Sequence, residues 1–235
     1  MALDLLSDAV IDTVSLPVTN ARVRRQTRAI GTSGTVTGLE VRLSRVFIQD
    51  NRTPKVWPFP GFADVYLLLV VFDDLTAEPR TLTLSGFARI DDGEDLPVDK
   101  TAYFWKQPAE SAGTAPSQVH VLLSVLKSKK GLRDTAAVLT QARTSEDYRS
   151  LVGEVVGAIA NAPARTAEVI LQLAGVVGGL LQNVEDKPLF TQVVSFTDIN
   201  GDFDNLGKTA IVKGNNNVQT TLTLVVRDPA RELVA

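Results

Sequence analysis

The sequence predicts a mainly β protein, an antiparallel β-sandwich of about eight strands carrying an insertion of two to three helices. Three observations predict it. Apolar and polar residues alternate in short segments separated by Pro, Gly, Asn and Asp. Over residues 130–187 the apolar spacing changes to three and four. After Pro188 the alternation returns, so strands flank the helical block on both sides. The expected organisation is an N-terminal arm over 1–35, a first part of the sandwich over 36–129, a helical insertion over 130–187 and the remainder of the sandwich over 188–235.

The arm has Leu3, Leu6, Val10 and Val14 at helix-like spacing before Pro17, which fits either a short helix or a loosely held arm. Arg22, Arg24, Arg25 and Arg28 follow as a basic cluster. Such a cluster suits an anionic partner, but also a charged strand edge that discourages unwanted pairing. No aromatic residues interleave with it, as they would in a single-strand nucleic-acid binder.

From Val36 the apolar residues alternate through Leu39, Val41 and Leu43, then change phase at Val46 and Ile48, which predicts a strand with a bulge. Residues 49–62, with Asn51, three prolines and Gly61, form a long loop. Phe62 to Phe72 is almost continuously apolar, the pattern of a central strand covered on both faces. A turn follows from Asp73-Asp74 to Pro79. Leu82, Leu84 and Phe87 begin the next strand, which an acidic turn over residues 91–95 ends. Thr101 to Lys106 is a short aromatic strand, residues 107–117 a loop, and Val119 to Val125 another alternating strand.

Helical spacing then runs through Leu132, Ala136 and Leu139, and again from Tyr148 to Ile159. Ser145 is a candidate N-cap, with Glu146 and Asp147 in the first turn. Pro163 opens a third helix. In it, Ala174 with Gly178 and Gly175 with Gly179 form a smooth face suited to close packing on another helix or on the sheet. Leu189–Phe196, Thr209–Val212 and Val218–Arg227 complete the strands. In the last, Val218, Thr220, Leu222, Leu224 and Val226 face one way, and only Val225 breaks the polar side.

Composition narrows the function classes. The chain has 235 residues, 44% apolar and 22% charged, as expected of a globular protein rather than a disordered one. A net charge of −3 gives no global reason to expect a nucleic-acid partner. With no cysteine, disulfides, thiolate metal sites and cysteine nucleophiles are excluded. The N-terminus lacks the basic and apolar regions of a secretory signal, and the apolar run Val169–Leu181 is too short for a bilayer core of about 30 Å. The expectation is a soluble protein, cytoplasmic or exported without a leader.

Catalytic motifs are sparse. The single histidine, His120, falls in a strand pattern, where a satisfied side chain is the ordinary outcome. No nucleophile elbow, phosphate-binding loop or dinucleotide fingerprint occurs. Asp91/Asp92 and Glu94/Asp95 are paired carboxylates but need no more explanation than an acidic turn. Trp57 and Trp105 suit a carbohydrate surface, core packing or loop anchoring. A non-enzyme is expected.

The stretch Phe196–Gly207 concentrates oxygen donors: Asp198, Asn200, Asp202 and Asp204 stand at alternate positions between two strands. Hard cations such as calcium take six to eight oxygens. An EF-hand is excluded, because Phe203 and Thr209 stand where that loop needs glycine and glutamate. The same residue types also suit a solvated turn.

The strand order, the run Asp198-Ile199-Asn200 with Asp204-Asn205-Leu206-Gly207, and the run Ala63-Asp64-Val65-Tyr66 after a loop containing Asp50 resemble the calcium- and phospholipid-binding C-two domains. The resemblance covers about residues 36–105 and 189–227 and implies that Asp50, Asp64, Asp198, Asn200 and Asp204 are calcium ligands; Asp202 completes the candidate metal set. Val65 stands where the family has proline, Asn200 where it has aspartate, and the helical block is foreign to it. Strand parity sets a condition on a shared site. If every neighbouring strand reverses, the loops after Ile48 and after Phe196 meet only when the helices carry the chain from one end of the sandwich to the other.

The function expected is a non-enzymatic interaction module that binds calcium through its acidic loops. The alternatives are a structural or assembly subunit of an oligomeric particle and a membrane-active protein that uses its helices. A protein partner or self-association is expected, with a membrane surface as a further candidate and nucleic acid disfavoured.

Overall fold

The computed structural model describes residues 9–11, 36–56, 61–107, 115–129, 131–181 and 188–227. In chain order the strands are β1 (Ala9–Ile11), β2 (Gly38–Ile48), β3 (Ala63–Asp73), β4 (Thr81–Ile90), β5 (Glu94–Asp95), β6 (Lys100–Lys106), β7 (Gln118–Ser128), β8 (Phe190–Thr197), β9 (Gly207–Gly214) and β10 (Val218–Arg227). Three helices, α1 (Thr135–Thr144), α2 (Glu146–Asn161) and α3 (Pro163–Leu181), lie between β7 and β8. The mainly β class holds, and the eight strands of the sequence pattern are all present. The two pieces it missed are short: β5, inside the acidic turn, and β1.

One sheet has the order β1-β8-β7-β3-β4; in the other β2 pairs β10, which pairs β9, while β5 and β6 share the far edge of β2. We call them the covered and the open sheet. Among the described strands only β1 pairs in parallel, Ala9–Ile11 against Thr191–Val193, so this part of the arm is extended rather than helical. The basic cluster Arg22–Arg28 and Trp57 lie outside the described residues.

Layering explains the strand patterns. On β3, Val65, Leu67, Leu69 and Val71 fill the core between the sheets, while Tyr66, Leu68, Val70 and Phe72 fill a second core under the helices. A strand covered on both faces must be apolar at every position, which is why the run reads as continuous. On β10, Val218, Leu222, Leu224 and Val226 enter the first core alone. The other side of β10 faces outward, and Val225 there is 8% exposed. The phase change in β2 is a bulge: Arg45 faces Thr221 and Leu43 faces Leu222, leaving Ser44 as the extra residue.

The helices stand on the covered sheet through α1 against β4 and α3 against β7 and β8. Ser145 caps α2 as expected, its Oγ accepting the Tyr148 N–H at 3.2 Å. Asp134 caps α1 by accepting the N–H groups of Ala136 and Ala137. Ala174 and Gly178 are buried, whereas Gly179 meets open space, so half of the small-residue face packs inward. Among the described residues no helix is long and apolar enough to cross a membrane.

The course of the helical block decides which loops meet. β7 leaves the covered sheet at Ser128, and the chain returns where the Leu189 N–H donates to the Val125 carbonyl at 2.9 Å. The block therefore starts and finishes at one end of the sandwich. We call this the upper end; it also carries the β2–β3, β4–β6 and β9–β10 connections. The lower end carries the β3–β4, β6–β7 and β8–β9 connections.

Candidate functional site

The condition on a shared site is not met, and strand parity divides the six candidate ligands between the two ends of the sandwich. Asp50 and Asp64 lie at the upper end, and Asp198, Asn200, Asp202 and Asp204 lie together at the lower end. A strand's length separates the two groups. Among the described residues, no three His, Asp or Glu side chains are grouped to hold a metal ion.

The upper end is tied together by side-chain amides. Asn51 is fully buried; its Nδ2 donates to the carbonyls of Gly61 at 2.6 Å and Ile90 at 2.8 Å. Its Oδ1 accepts the Thr53 N–H, and its own N–H donates to Asp92 Oδ1, both at 2.8 Å. One residue thus fastens both limbs of the 49–62 loop to the end of β4. Asn217 fastens the loop to the β9–β10 turn: its carbonyl accepts the N–H groups of Gln49 and Asp50, and its Oδ1 accepts the Arg52 guanidinium at 3.0 Å. Below, Lys127, a buried residue, donates from Nζ to the Arg52 carbonyl at 3.0 Å.

The predicted ligands of this end already accept protein donors. Asp50 Oδ1 takes the Arg52 N–H at 2.7 Å, and Asp64 Oδ1 takes the Arg89 N–H at 2.8 Å. Both arginines have left-handed backbones, with φ of 57° and 58°. That conformation costs on the order of 1 kcal/mol each for a residue with a side chain. The paired acids of the β4–β5 turn are engaged too: Lys55 Nζ lies 2.9 Å from Asp91 and 3.1 Å from Asp92. These contacts raise the Lys55 ammonium above its ordinary range, and Lys55 holds the Asp91 carboxyl below its own. Asp95 accepts the Arg45 guanidinium at 2.7 Å.

At the lower end the acidic loop is a folded turn. Asp202 Oδ2 accepts the Thr197 N–H at 2.7 Å, and Thr197 Oγ1 accepts the Asn200 N–H at 3.2 Å. The Gly201 N–H donates to the Asp198 carbonyl; Gly201 has a φ of 74°, and a Cβ there would press on Asp204 Oδ2 at 2.9 Å. Phe203, 1% exposed, anchors the turn in the core, while Ile199 stands out at 86% exposed.

A further carboxylate site, missed in the sequence, lies at the same end. Asp73 is buried; Oδ1 accepts the Leu75 N–H, the Thr76 N–H and the Thr76 hydroxyl at 2.9–3.2 Å. Oδ2 accepts Arg80 Nε at 2.7 Å and the Tyr103 hydroxyl at 2.9 Å, which links the covered sheet to β6 of the open one. Burial, and then the carboxylate, push the Tyr103 phenol well above its ordinary range. Asp74 accepts the Ser117 hydroxyl and N–H and the Gln118 N–H, holding the entry to β7. The turn residue Asp73 with Thr76 three places on was legible as a local turn; the partner on β6 was not.

His120 is 2% exposed, with Nδ1 2.8 Å from Ser195 Oγ and Nε2 3.2 Å from Gln118 Oε1. Burial lowers its pKa to about 4, which keeps the ring neutral near neutral pH. The pair satisfies two strand side chains under the helical layer. Trp105 is half-buried against the core between the sheets, so it serves packing. A groove of about 440 Å³ between the β3–β4 turn and α2 is lined by Asp74, Leu75, Gln118, Val156 and Ile159.

No protein-family profile and no curated protein matches the chain. Among solved structures, a human cytosolic phospholipase A2, in complex with a fluorophosphonate inhibitor and terbium chloride, aligns with a TM-score of 0.34 and 10% identity. The alignment covers 83% of this chain and 18% of the phospholipase. A likeness this slight carries no inference about function.

Proposed function

We propose that the chain is a non-enzymatic interaction module that presents the 49–62 loop of its upper end to a partner surface. The observation that carries this reading is the contrast within that loop. Asn51 is locked by four hydrogen bonds, whereas Val56, a few residues on, is 63% exposed. A rigid base with an apolar projection is how a loop on a sandwich binds without a large ordering cost. The sequence continues from Val56 into Trp57 and Phe59, adding aromatic character.

The resemblance to C-two domains makes a phospholipid surface the partner to test first. At this end the Lys55 ammonium sits between Asp91 and Asp92, and Asp50 and Asp64 each accept a backbone N–H, which supports a reading in which the loop binds without calcium. Co-sedimentation with anionic vesicles, with and without calcium, tests the reading. Binding independent of calcium and lost in Val56→Asp is expected; failure to bind under both conditions sinks the membrane partner. Calorimetric titration with calcium is expected to give no heat. A saturable heat that disappears in an Asp198→Ala/Asp204→Ala variant restores calcium binding at the lower end.

A further inference from the structure

We infer that two copies of this chain associate through their lower ends, the acidic β8–β9 loop of each seating on the cationic lower half of the other's open sheet. The inference rests on lower-end observations and not on the upper-end reading.

The first half of the surface is the loop. From Phe196 to Gly207 it has three carboxylates and no basic residue. It is held in shape by Phe203 and the Thr197 contacts, and it raises Ile199 at its tip, the most exposed of the large apolar side chains described. The second half is the outer face of the open sheet beside the start of β9. Register places Phe104, Glu40, Val225 and Lys208 in one row across four strands, with Lys106 and Arg227 flanking Gly38 in the next. Phe104 is 63% exposed.

Charge pairing separates this half of the face from the rest. Higher on the same face, Arg42 and Arg45 are each forked onto an aspartate, Asp99 and Asp95. Lys106, Lys208 and Arg227 are exposed, and none of them pairs with an acid among the described residues. The face thus offers Lys106, Lys208 and Arg227 with Glu40 among them and an exposed aromatic ring, Phe104, at its β6 edge, and the loop offers the opposite sign beside an exposed aliphatic side chain.

The loop leads directly into β9, so the two halves adjoin as one surface, negative on one side and positive on the other. A surface of that kind is self-complementary under a two-fold axis, which forms each contact twice. Opposite fields steer the encounter, and the Ile199–Phe104 contact supplies the apolar centre.

Sedimentation velocity of the full chain across a concentration series, at low and at high salt, is the test. Concentration-dependent dimers weakened by salt are expected. Asp198→Lys and Lys208→Glu should each weaken association at least tenfold, and the double variant should recover most of the loss. Ile199→Ser should weaken it without changing the salt dependence. Of the three positions, Ile199 and Lys208 are exposed and Asp198 is half-buried in the loop, so thermal melts of the variants should stay close to the parent. A monomer at every concentration, or single reversals without effect, overturns the proposal. So does a monomer that binds anionic vesicles through Lys106 and Lys208, which would assign the face to a membrane.

Discussion

The covered and open sheets differ less in residue types than in how those residues are ordered. On β3 every residue from Val65 to Phe72 is buried, because one face meets the open sheet and the other meets the helices. On β10 burial alternates from Val218 to Thr223, because water replaces the helices on its outer side. The strand pattern therefore records how many faces of each strand are covered. Among the described residues the helices lie on the outer face of the covered sheet and none lies on the open one.

The sharpest way to break this comparison is at the point joining the sheets. Asp73→Ala leaves Arg80 and the Tyr103 hydroxyl without their buried acceptor and is expected to cost about 3–5 kcal/mol in urea unfolding. A loss below about 1 kcal/mol would mean that the link between sheets is incidental.

Next in size is the second core. Leu68→Ala, beneath the helices, should cost about 3 kcal/mol, as a fully buried leucine does. If the covered sheet tolerates it as readily as an exposed site, the helices do not pack as a true layer.

His120 sharpens the comparison through pH. Its folded pKa of about 4 lies below the ordinary 6.5, so between those values the unfolded chain binds more protons. Stability should therefore be complete above about pH 6.5 and fall on acidification towards pH 4, by on the order of 2–3 kcal/mol. In His120→Gln that portion of the pH slope should flatten; an unchanged slope would assign the acid sensitivity to other groups.

The smallest effect belongs to the open face. Val212→Thr, at a residue 54% exposed on β9, should change stability by no more than about 0.5 kcal/mol. A larger loss would show that this face is covered in solution.

Much of the fold was legible because it is written locally. Alternation, one continuous apolar run and one aromatic run located the eight longer strands, the phase change at Val46 located the bulge, and Ser145 announced its helix by capping chemistry. What escaped depends on distant partners. Whether the acidic loops share an end is decided by the Leu189–Val125 contact, and no local pattern encodes the end at which three helices return. Apolar spacing alone left the arm undecided between helix and loose segment, whereas a neighbour, β8, draws Ala9–Ile11 into extended pairing. The site was legible only as composition. Asp, Asn and Gly marked both loops, but the amides that order the upper one, Asn51 and Asn217, were missed because their partners come from several connections.

The helical block leaves and rejoins the sandwich between two strands that are hydrogen-bonded neighbours, β7 and β8. It is in effect the content of a single hairpin loop. A short turn joining Ser128 to Pro188 would preserve every strand pairing within the sheets. It would also strip the roof from Tyr66, Leu68, Val70, Phe72, Leu122 and Val193, an apolar floor too wide to stand in water without aggregating. The graft is thus removable on paper but not in solution, and any attempt to trim this chain to a bare sandwich must first repaint that floor with polar side chains.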